Sequence, residues 1–175
     1  MSDEELRIYQ KAQAQAKEAE KIAITDLNID PILIDKNKLV KTATIDNIEF
    51  LDENRNPKNI FKTGDDMVVR IWFSKNGEVE RLNFGVAIYS LEDYYIFGIN
   101  TLLDNLDTRK YLEKGYFDVH YRKINLGTNK YYIRAGIYED KVEKLVDFVD
   151  QSKEYFQVQA FNLNTGIVHL DYEWV

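Results

Sequence analysis

The stretch Met67-Val68-Val69-Arg70-Ile71-Trp72-Phe73 decides the fold class of this chain, because its apolar side chains recur at every second position. In an extended strand, successive side chains point to opposite faces of a sheet. The residues predicted to face a core are Met67, Val69, Ile71 and Phe73, and those predicted to face outward are Val68, Arg70 and Trp72. The pattern indicates a β-strand with one buried face.

Three further segments repeat this alternation. Their predicted inward residues are Phe84, Val86 and Ile88, then Phe117, Val119 and Tyr121, then Tyr131, Ile133, Ala135 and Ile137. Turn-forming residues lie between the segments, and residues 52–59 are the clearest run of them. The period of two that begins after Thr44 therefore predicts an all-β domain over residues 44–175.

The outward positions of these strands combine aromatic rings with charged groups. They are Arg70, Trp72, Tyr89, Asp118, His120, Tyr132, Arg134 and Tyr138. If the strands share one sheet, this face suits a sugar, because rings pack on CH faces and charged groups bond hydroxyls. A second interpretation is open, in which the large side chains only shield the sheet or meet another sheet or subunit.

Composition limits the class of partner. The chain has 175 residues, no cysteine and a net charge of −7, which argues against a nucleic-acid partner because phosphate binding needs a basic surface. No apolar run is long enough to span a bilayer, and the acidic start at residues 1–5 does not resemble a secretory signal. We expect a soluble, cytoplasmic protein.

The first residues have a different character from the rest. Ser2 followed by Glu5 fits a helix-capping box, and the alanine-rich segment that follows contains no Gly or Pro. We predict an N-terminal helix over residues 1–24, joined by a connecting segment, residues 25–43, to the β domain.

No catalytic, metal or cofactor motif emerges. Residues 52–59 begin like a calcium loop, but Pro57 stands where that loop requires Gly. The two histidines lack the spacing of zinc ligands, and the chain has no phosphate-binding P-loop. We expect no catalytic residue, no metal and no cofactor. A glycan-active enzyme using carboxylates such as Asp118 and Asp140 is an open alternative without a distinguishing spacing.

An ordered series of motifs resembles one family. The series is Ile45-x-x-Ile48, Phe61-Lys62-Thr63-Gly64, Phe84-Gly85-Val86-Ala87-Ile88, Phe97-Gly98-Ile99-Asn100-Thr101, Gly115, Leu126-Gly127 before Tyr132, Phe156-x-Val158, and Gly166-Ile167-Val168 ending in Trp174. Together they resemble the C-terminal carbohydrate-binding domain of Wzt-type ATPase subunits, found in ABC transporters that export O-antigen polysaccharides of lipopolysaccharide. One departure is the hairpin at residues 91–95, which lacks the acidic-Gly turn of that family.

The resemblance implies an immunoglobulin-like or jelly-roll antiparallel β-sandwich that binds the nonreducing end of a polysaccharide. It also implies a homodimer that exchanges C-terminal strands through Val168, Leu170, Tyr172 and Trp174. The N-terminal helix would join an absent ATPase domain, which works with a membrane subunit on the cytoplasmic side of the inner membrane. A protein-interaction sandwich using the same aromatic face is the alternative function.

The motif at Phe97 to Thr101 has a structural interpretation. Gly98 permits close packing or a bulge, and Asn100 with Thr101 can satisfy the backbone amides of a turn. We favour this role over sugar contact. We likewise expect Trp174 to anchor an interface or core.

Overall fold

The computed structural model describes residues 41–139, 145–150, 154–160 and 166–168. All of them belong to one compact unit, Lys36–Val175. The predicted N-terminal helix, most of the predicted connecting segment, and Leu170, Tyr172 and Trp174 lie outside the described residues.

The described residues form strands and one short helix. The strands are β1 (Ala43–Leu51), β2 (Ile60–Lys62), β3 (Met67–Lys75), β4 (Leu82–Ser90), β5 (Tyr95–Asn100), β6 (Tyr116–Tyr121), β7 (Asn129–Glu139), β8 (Leu145–Asp150) and β9 (Phe156–Gln159), and the helix is α1 (Arg109–Leu112). The first strand begins one residue before the predicted start of the β domain.

The strands form two sheets. One is three-stranded in the order β1-β3-β6, and the other is six-stranded in the order β2-β9-β7-β4-β5, with β8 also paired to β7. Every pair is antiparallel except β2 with β9. The predicted all-β sandwich is confirmed.

The core lies between the two sheets. Every residue predicted to point inward either belongs to the buried core or packs against it. Phe84 of the larger sheet meets Phe73 and Phe117 of the smaller one, with ring centroids 5.0 and 4.3 Å apart. Burial of these apolar faces is the main force that holds the sheets together.

Polar side chains of the Asn100-Thr101 motif complete a turn, as predicted. The Thr101 hydroxyl oxygen accepts a hydrogen bond of 2.9 Å from the Phe84 amide, where β5 ends against β4. The Asn100 side-chain oxygen accepts one of 2.8 Å from the Leu102 amide. These bonds satisfy backbone donors that the ladder no longer pairs.

The loop at residues 52–59, which begins like a calcium site, is held by hydrogen bonds from its own backbone amides to the Asp52 carboxylate. One carboxylate oxygen of Asp52 accepts hydrogen bonds from the amides of Asn54 and Asn56, at 2.8 and 2.9 Å. The bond from the Asn56 amide is the main reason that the pKa of Asp52 is lowered. Its carboxylate therefore acts as a turn cap.

Candidate functional site

The predicted binding residues divide between two separate sheets. Arg70, Trp72, Asp118 and His120 lie on the three-stranded sheet, and Tyr89, Tyr132, Arg134 and Tyr138 lie on the six-stranded sheet. The inner faces of both sheets form the core, so the outward residues of each sheet point away from those of the other. The expectation of a single shared face is wrong, because alternation along a strand does not reveal which sheet the strand joins.

On the three-stranded sheet, the charged side chains are paired with each other. Arg70 and Asp118 are cross-strand partners, and the guanidinium donates two hydrogen bonds to the carboxylate, at 2.8 and 3.0 Å. Arg55 lies 3.3 Å from the same carboxylate. The hydrogen bond with Asp118 is the main cause that raises the pKa of Arg70.

The aromatic rings of this face pack on that ion pair. The Trp72 and Tyr116 rings are 4.9 Å apart, and the Arg70 guanidinium lies 4.4 Å from the Tyr116 ring. The Trp72 indole donates a hydrogen bond of 2.9 Å to Glu49. Its directional bonding capacity is used within the sheet, which favours a structural role.

The other predicted member of this face, His120, lies beside a carboxylate. Its Nε2 is 2.9 Å from Asp66, whose other oxygen accepts a hydrogen bond of 3.0 Å from the Lys123 amide. The imidazole therefore helps to hold the turn that follows β6.

On the six-stranded sheet, tyrosine rings surround one guanidinium. The Arg134 guanidinium carbon lies 4.1 Å from the centre of the Tyr89 ring and 5.3 Å from that of Tyr132. The two rings are stacked, with centroids 5.6 Å apart, and are almost completely buried. Arg134 also contacts Asp150 at 3.1 Å. Burial alone would lower the pKa of Arg134, but bonding to Tyr89 and Asp150 raises it.

The hairpin between β4 and β5 places a carboxylate over this group. Asp93 occupies the left-handed backbone region, with a φ of 65°, at the position where a turn favours Gly. Its carboxylate accepts hydrogen bonds from the Tyr132 hydroxyl and from Arg134. Burial and this hydrogen bond raise the pKa of Tyr132. The Asp93 side chain nevertheless remains 69% exposed.

Exposed rings follow Asp93 in the sequence, at the start of β5. Tyr95 is 43% exposed and meets Tyr89 edge to face at 5.5 Å, and Tyr94 is 62% exposed. We call Tyr89, Asp93, Tyr95, Tyr132, Arg134 and Asp150 the tyrosine–arginine cluster. It presents a ring and a fixed carboxylate to solvent above a rigid, buried base, which is chemistry that suits a hydroxylated ligand.

Tyr138 has a different environment on the same face. Gly85 and Gly136 are cross-strand partners, and an added Cβ on them would lie 3.3 and 3.0 Å from the Tyr138 side chain. The ring therefore covers the space that the two glycines leave. This packing explains the burial of Tyr138 without a ligand.

Neither a metal centre nor a membrane span is found in the described part of the chain. No group of three His, Cys, Asp or Glu side chains there could hold a metal ion. No helix there is long and apolar enough to cross a membrane.

Comparison with known families decides what kind of domain this sandwich is. The family profile of the Wzt C-terminal domain matches residues 40–170, which is most of the chain. The chain belongs to the Wzt C-terminal domain family. It is therefore a polysaccharide-transporter-related domain, of a type that is non-catalytic in its transporter subunits.

One solved structure supports the Wzt fold. The crystal structure of the C-terminal domain of Wzt is similar with a TM-score of 0.62 at 13% identity, covering 77% of this chain and 84% of that one. A Bifidobacterium dentium β-glucuronidase (TM-score 0.43, 13% identity, 67% of this chain and 18% of that one) is more distant. A Niemann-Pick type C2 protein from the Japanese carpenter ant (TM-score 0.39, 10% identity, 69% and 94%) is more distant still. The search of curated proteins gave no match.

Sequence reasoning missed Asp93, Tyr95 and Asp150. The sequence did contain a signal for Asp93, because the hairpin of residues 91–95 lacks the Gly expected from the Wzt resemblance. An Asp that replaces Gly at a left-handed position adds a carboxylate at a fixed point of the surface. A departure from the Wzt turn pattern was therefore informative about the site.

The predicted exchange residue Val168 contacts its own chain. It forms an isolated bridge with Leu126, and its side chain is 58% exposed. The remaining predicted exchange residues lie outside the described part.

Proposed function

We propose that this domain binds a polysaccharide carried by an ABC transporter and contacts it through the tyrosine–arginine cluster. The observation that carries the proposal is that one cluster of a Wzt-family domain exposes both the carboxylate of Asp93, held by Tyr132 and Arg134, and the ring of Tyr95, packed on Tyr89. The ring can pack on the CH face of a sugar, while the carboxylate accepts hydrogen bonds from its hydroxyls.

The buried base of the cluster supports this role because it fixes both groups. Tyr132 and Arg134 hold the Asp93 carboxylate, and Tyr89 supports the Tyr95 ring. Groups that are held in place before binding lose less conformational entropy when the ligand arrives. The three-stranded face has less to offer, since the paired side chains of Arg70 and Asp118 are only 19% exposed, against 69% for Asp93, and the Trp72 indole bonds to Glu49.

Titration calorimetry with the surface polysaccharide of the source organism tests the proposal. Tyr95→Ala and Asp93→Asn should each weaken binding about tenfold, the loss expected for one stacking ring or one charged hydrogen bond. Asn tolerates the left-handed backbone, so Asp93→Asn removes the charge while the turn is kept. Glu92→Gln, on the same hairpin, is the matched control and should bind like the wild type.

Trp72→Ala tests whether the polysaccharide binds the outer face of the three-stranded sheet instead. If this variant loses affinity while Tyr95→Ala and Asp93→Asn retain it, the polysaccharide binds the three-stranded sheet and the cluster assignment is overturned. If a folded wild-type domain shows no binding at all, polysaccharide recognition itself is refuted. Chemical reduction and labelling of the glycan then alter its reducing end only. Binding should be unchanged by this treatment if the nonreducing terminus of an O-antigen-like polymer is the part recognised.

We further propose that the domain works as a homodimer with exchanged C-terminal strands. Support comes from the exposed Val168 and from the alternation of Leu170, Tyr172 and Trp174 that follows it in the sequence. Sedimentation should give twice the monomer mass, and Trp174→Ala should shift it toward monomer. A wild-type chain that sediments as a monomer at high concentration would refute the exchange.

The same family context supports a place in a transporter. We propose that the segment before residue 44 joins an ATPase domain, and that the assembly lies on the cytoplasmic side of the inner membrane with its membrane subunit. Fractionation of the producing cells should recover the protein with the inner membrane, together with that subunit.

A further inference from the structure

An apolar groove opens between the edges of the two sheets. Strand β5 is an edge of the six-stranded sheet, and β6 is an edge of the three-stranded one. The cavity between them has a volume of about 540 Å³, within the range of about 300 to 1,000 Å³ typical of small-molecule sites. Its walls include Ile96, Phe97 and Ile99 from β5, Val119 and Tyr121 from β6, and Ile88 from β4.

Tyr121, whose side chain helps to line this groove, carries a hydroxyl without a hydrogen-bond partner among the described residues. The Tyr121 hydroxyl is buried, and no group in the described residues forms a hydrogen bond with it. Its ring meets the exposed Phe97 ring edge to face at 6.2 Å. Burial raises the pKa of Tyr121 above that of an ordinary tyrosine, which is already protonated at physiological pH. A buried donor without an acceptor is costly, and a ligand oxygen would remove that cost.

The mouth of the groove is basic, although the chain as a whole is acidic. Arg122 and Lys123 line the mouth, both are exposed, and in the described residues neither side chain forms an ion pair. The nearby carboxylate of Asp66 is already bonded to His120 and to the Lys123 amide. Two exposed cations therefore lie where the groove opens, although Arg122 is also near enough to Asp66 to help lower the pKa of that carboxyl, after the larger effects of the Lys123 amide and His120.

We propose that this groove binds a single-chain amphiphile with an anionic head group, such as an alkyl phosphate or a fatty acid. The alkyl chain lies between the sheet edges. The head group contacts Arg122 and Lys123, and an oxygen at that end accepts a hydrogen bond from Tyr121. A polysaccharide does not fit this description, because its hydroxyls would be buried against aliphatic side chains without partners. The inference is independent of polysaccharide binding at the tyrosine–arginine cluster.

Titration calorimetry of the full chain with alkyl phosphates below their micellar concentrations tests the proposal. Decyl phosphate should bind with one-to-one stoichiometry, and each methylene added between octyl and decyl should tighten binding about fourfold. Decanol should bind at least tenfold more weakly because it lacks the charge. Decanoate, run in parallel, distinguishes a carboxylate from a phosphate as the preferred head group.

Two sets of variants locate the ligand. Arg122→Gln with Lys123→Gln should reduce the affinity for decyl phosphate to that for decanol, whereas the control pair Lys110→Gln with Lys114→Gln should not. Tyr121→Phe should weaken binding about three- to tenfold and should not lower the free energy of unfolding of the unliganded protein, since the hydroxyl has no partner to lose. Absence of binding, including absence caused by a second copy that closes the groove, would overturn the proposal. The proposal would also be overturned if the affinity did not change with the length of the alkyl chain, or if none of Arg122→Gln, Lys123→Gln and Tyr121→Phe changed it.

Discussion

A methyl group on Gly127 would lie 1.9 Å from the carbonyl oxygen of Gly166. The Gly127 amide donates a hydrogen bond of 2.8 Å to the Ile167 carbonyl, and the Tyr131 hydroxyl donates to the carbonyls of Gly127 and Ile167, at 3.0 and 3.2 Å. Two motifs that are 39 residues apart in the sequence thus meet backbone to backbone. Only a residue without a side chain permits this approach.

Gly127→Ala should therefore destabilise the domain by about 2 kcal/mol or more, because the obstacle is backbone and cannot rotate away. Urea unfolding would give the change in free energy. Gly77→Ala is the control, since an added Cβ there meets nothing within 4 Å. Equal midpoints for the two variants would mean that residues 166–168 do not pack against Gly127.

Thr101→Val should lower the free energy of unfolding by about 1 to 3 kcal/mol, although the two side chains have the same shape. The Phe84 amide loses the hydroxyl oxygen that it bonds at 2.9 Å, at the junction of β4 and β5. Thermal or urea unfolding measures the loss. The same replacement at Thr44, whose hydroxyl bonds only an exposed carboxylate at 3.4 Å, should change stability by less than about 0.5 kcal/mol. Unchanged stability in Thr101→Val would contradict the structural role assigned to Asn100 and Thr101.

The ion pair of Arg70 and Asp118 should show measurable coupling. Both side chains are 19% exposed and the contact is bidentate, so a double-mutant cycle of Arg70→Met and Asp118→Asn should give about 1 kcal/mol. The exposed pair Arg109 and Asp107, with side chains 76% and 61% accessible, should give almost none. Coupling that is equal in both cycles would mean that partial burial adds nothing to the bond.

Stability should fall at alkaline pH. Burial, and then the charge of Glu92, raises the pKa of Tyr131 to about 12. The unfolded phenol has a pKa of about 10, so between these values the folded state binds more protons, and its stability decreases as pH rises. Below about pH 10 the contribution of this group is fully present.

Urea unfolding at a series of pH values from 9 to 12 measures this slope. Tyr131→Phe should remove up to about 1.4 kcal/mol per pH unit of the slope, and should also lower stability at pH 7 through its lost hydrogen bonds. Tyr94→Phe alters a ring that is 62% exposed and serves as the control. An unchanged slope in Tyr131→Phe would show that this tyrosine is not the group responsible.

The strand pattern predicted the core well, for a simple reason. Alternation in Met67 to Phe73 and in Tyr131 to Ile137 identified the residues that face the core, although Val68 and Tyr132, which it placed outward, are buried too. The partner of a strand depends on contacts distant in sequence. Arg70 and Arg134 occupy equivalent outward positions in their strands, yet they lie on different sheets.

The candidate site was predicted only in part for the same reason. Tyr89, Tyr132 and Arg134 were identified from their outward positions and lie together. Asp93 comes from a hairpin, and Asp150 comes from β8, which joins the sheet beside β7. Nothing in the local pattern of either segment indicates that its carboxylate reaches Arg134.

The sequence by itself determined the family, the β class and the inward residues of the four strands with clear alternation, because these depend on local periodicity and ordered motifs. The tertiary structure decided which outward residues meet, since strand order and hairpin geometry bring distant segments together. It paired Arg70 with Asp118 in a mostly buried ion pair, whereas it left Asp93, although bonded to Arg134 and Tyr132, largely exposed. That difference in the exposure of polar groups separates a structural face from a candidate binding face.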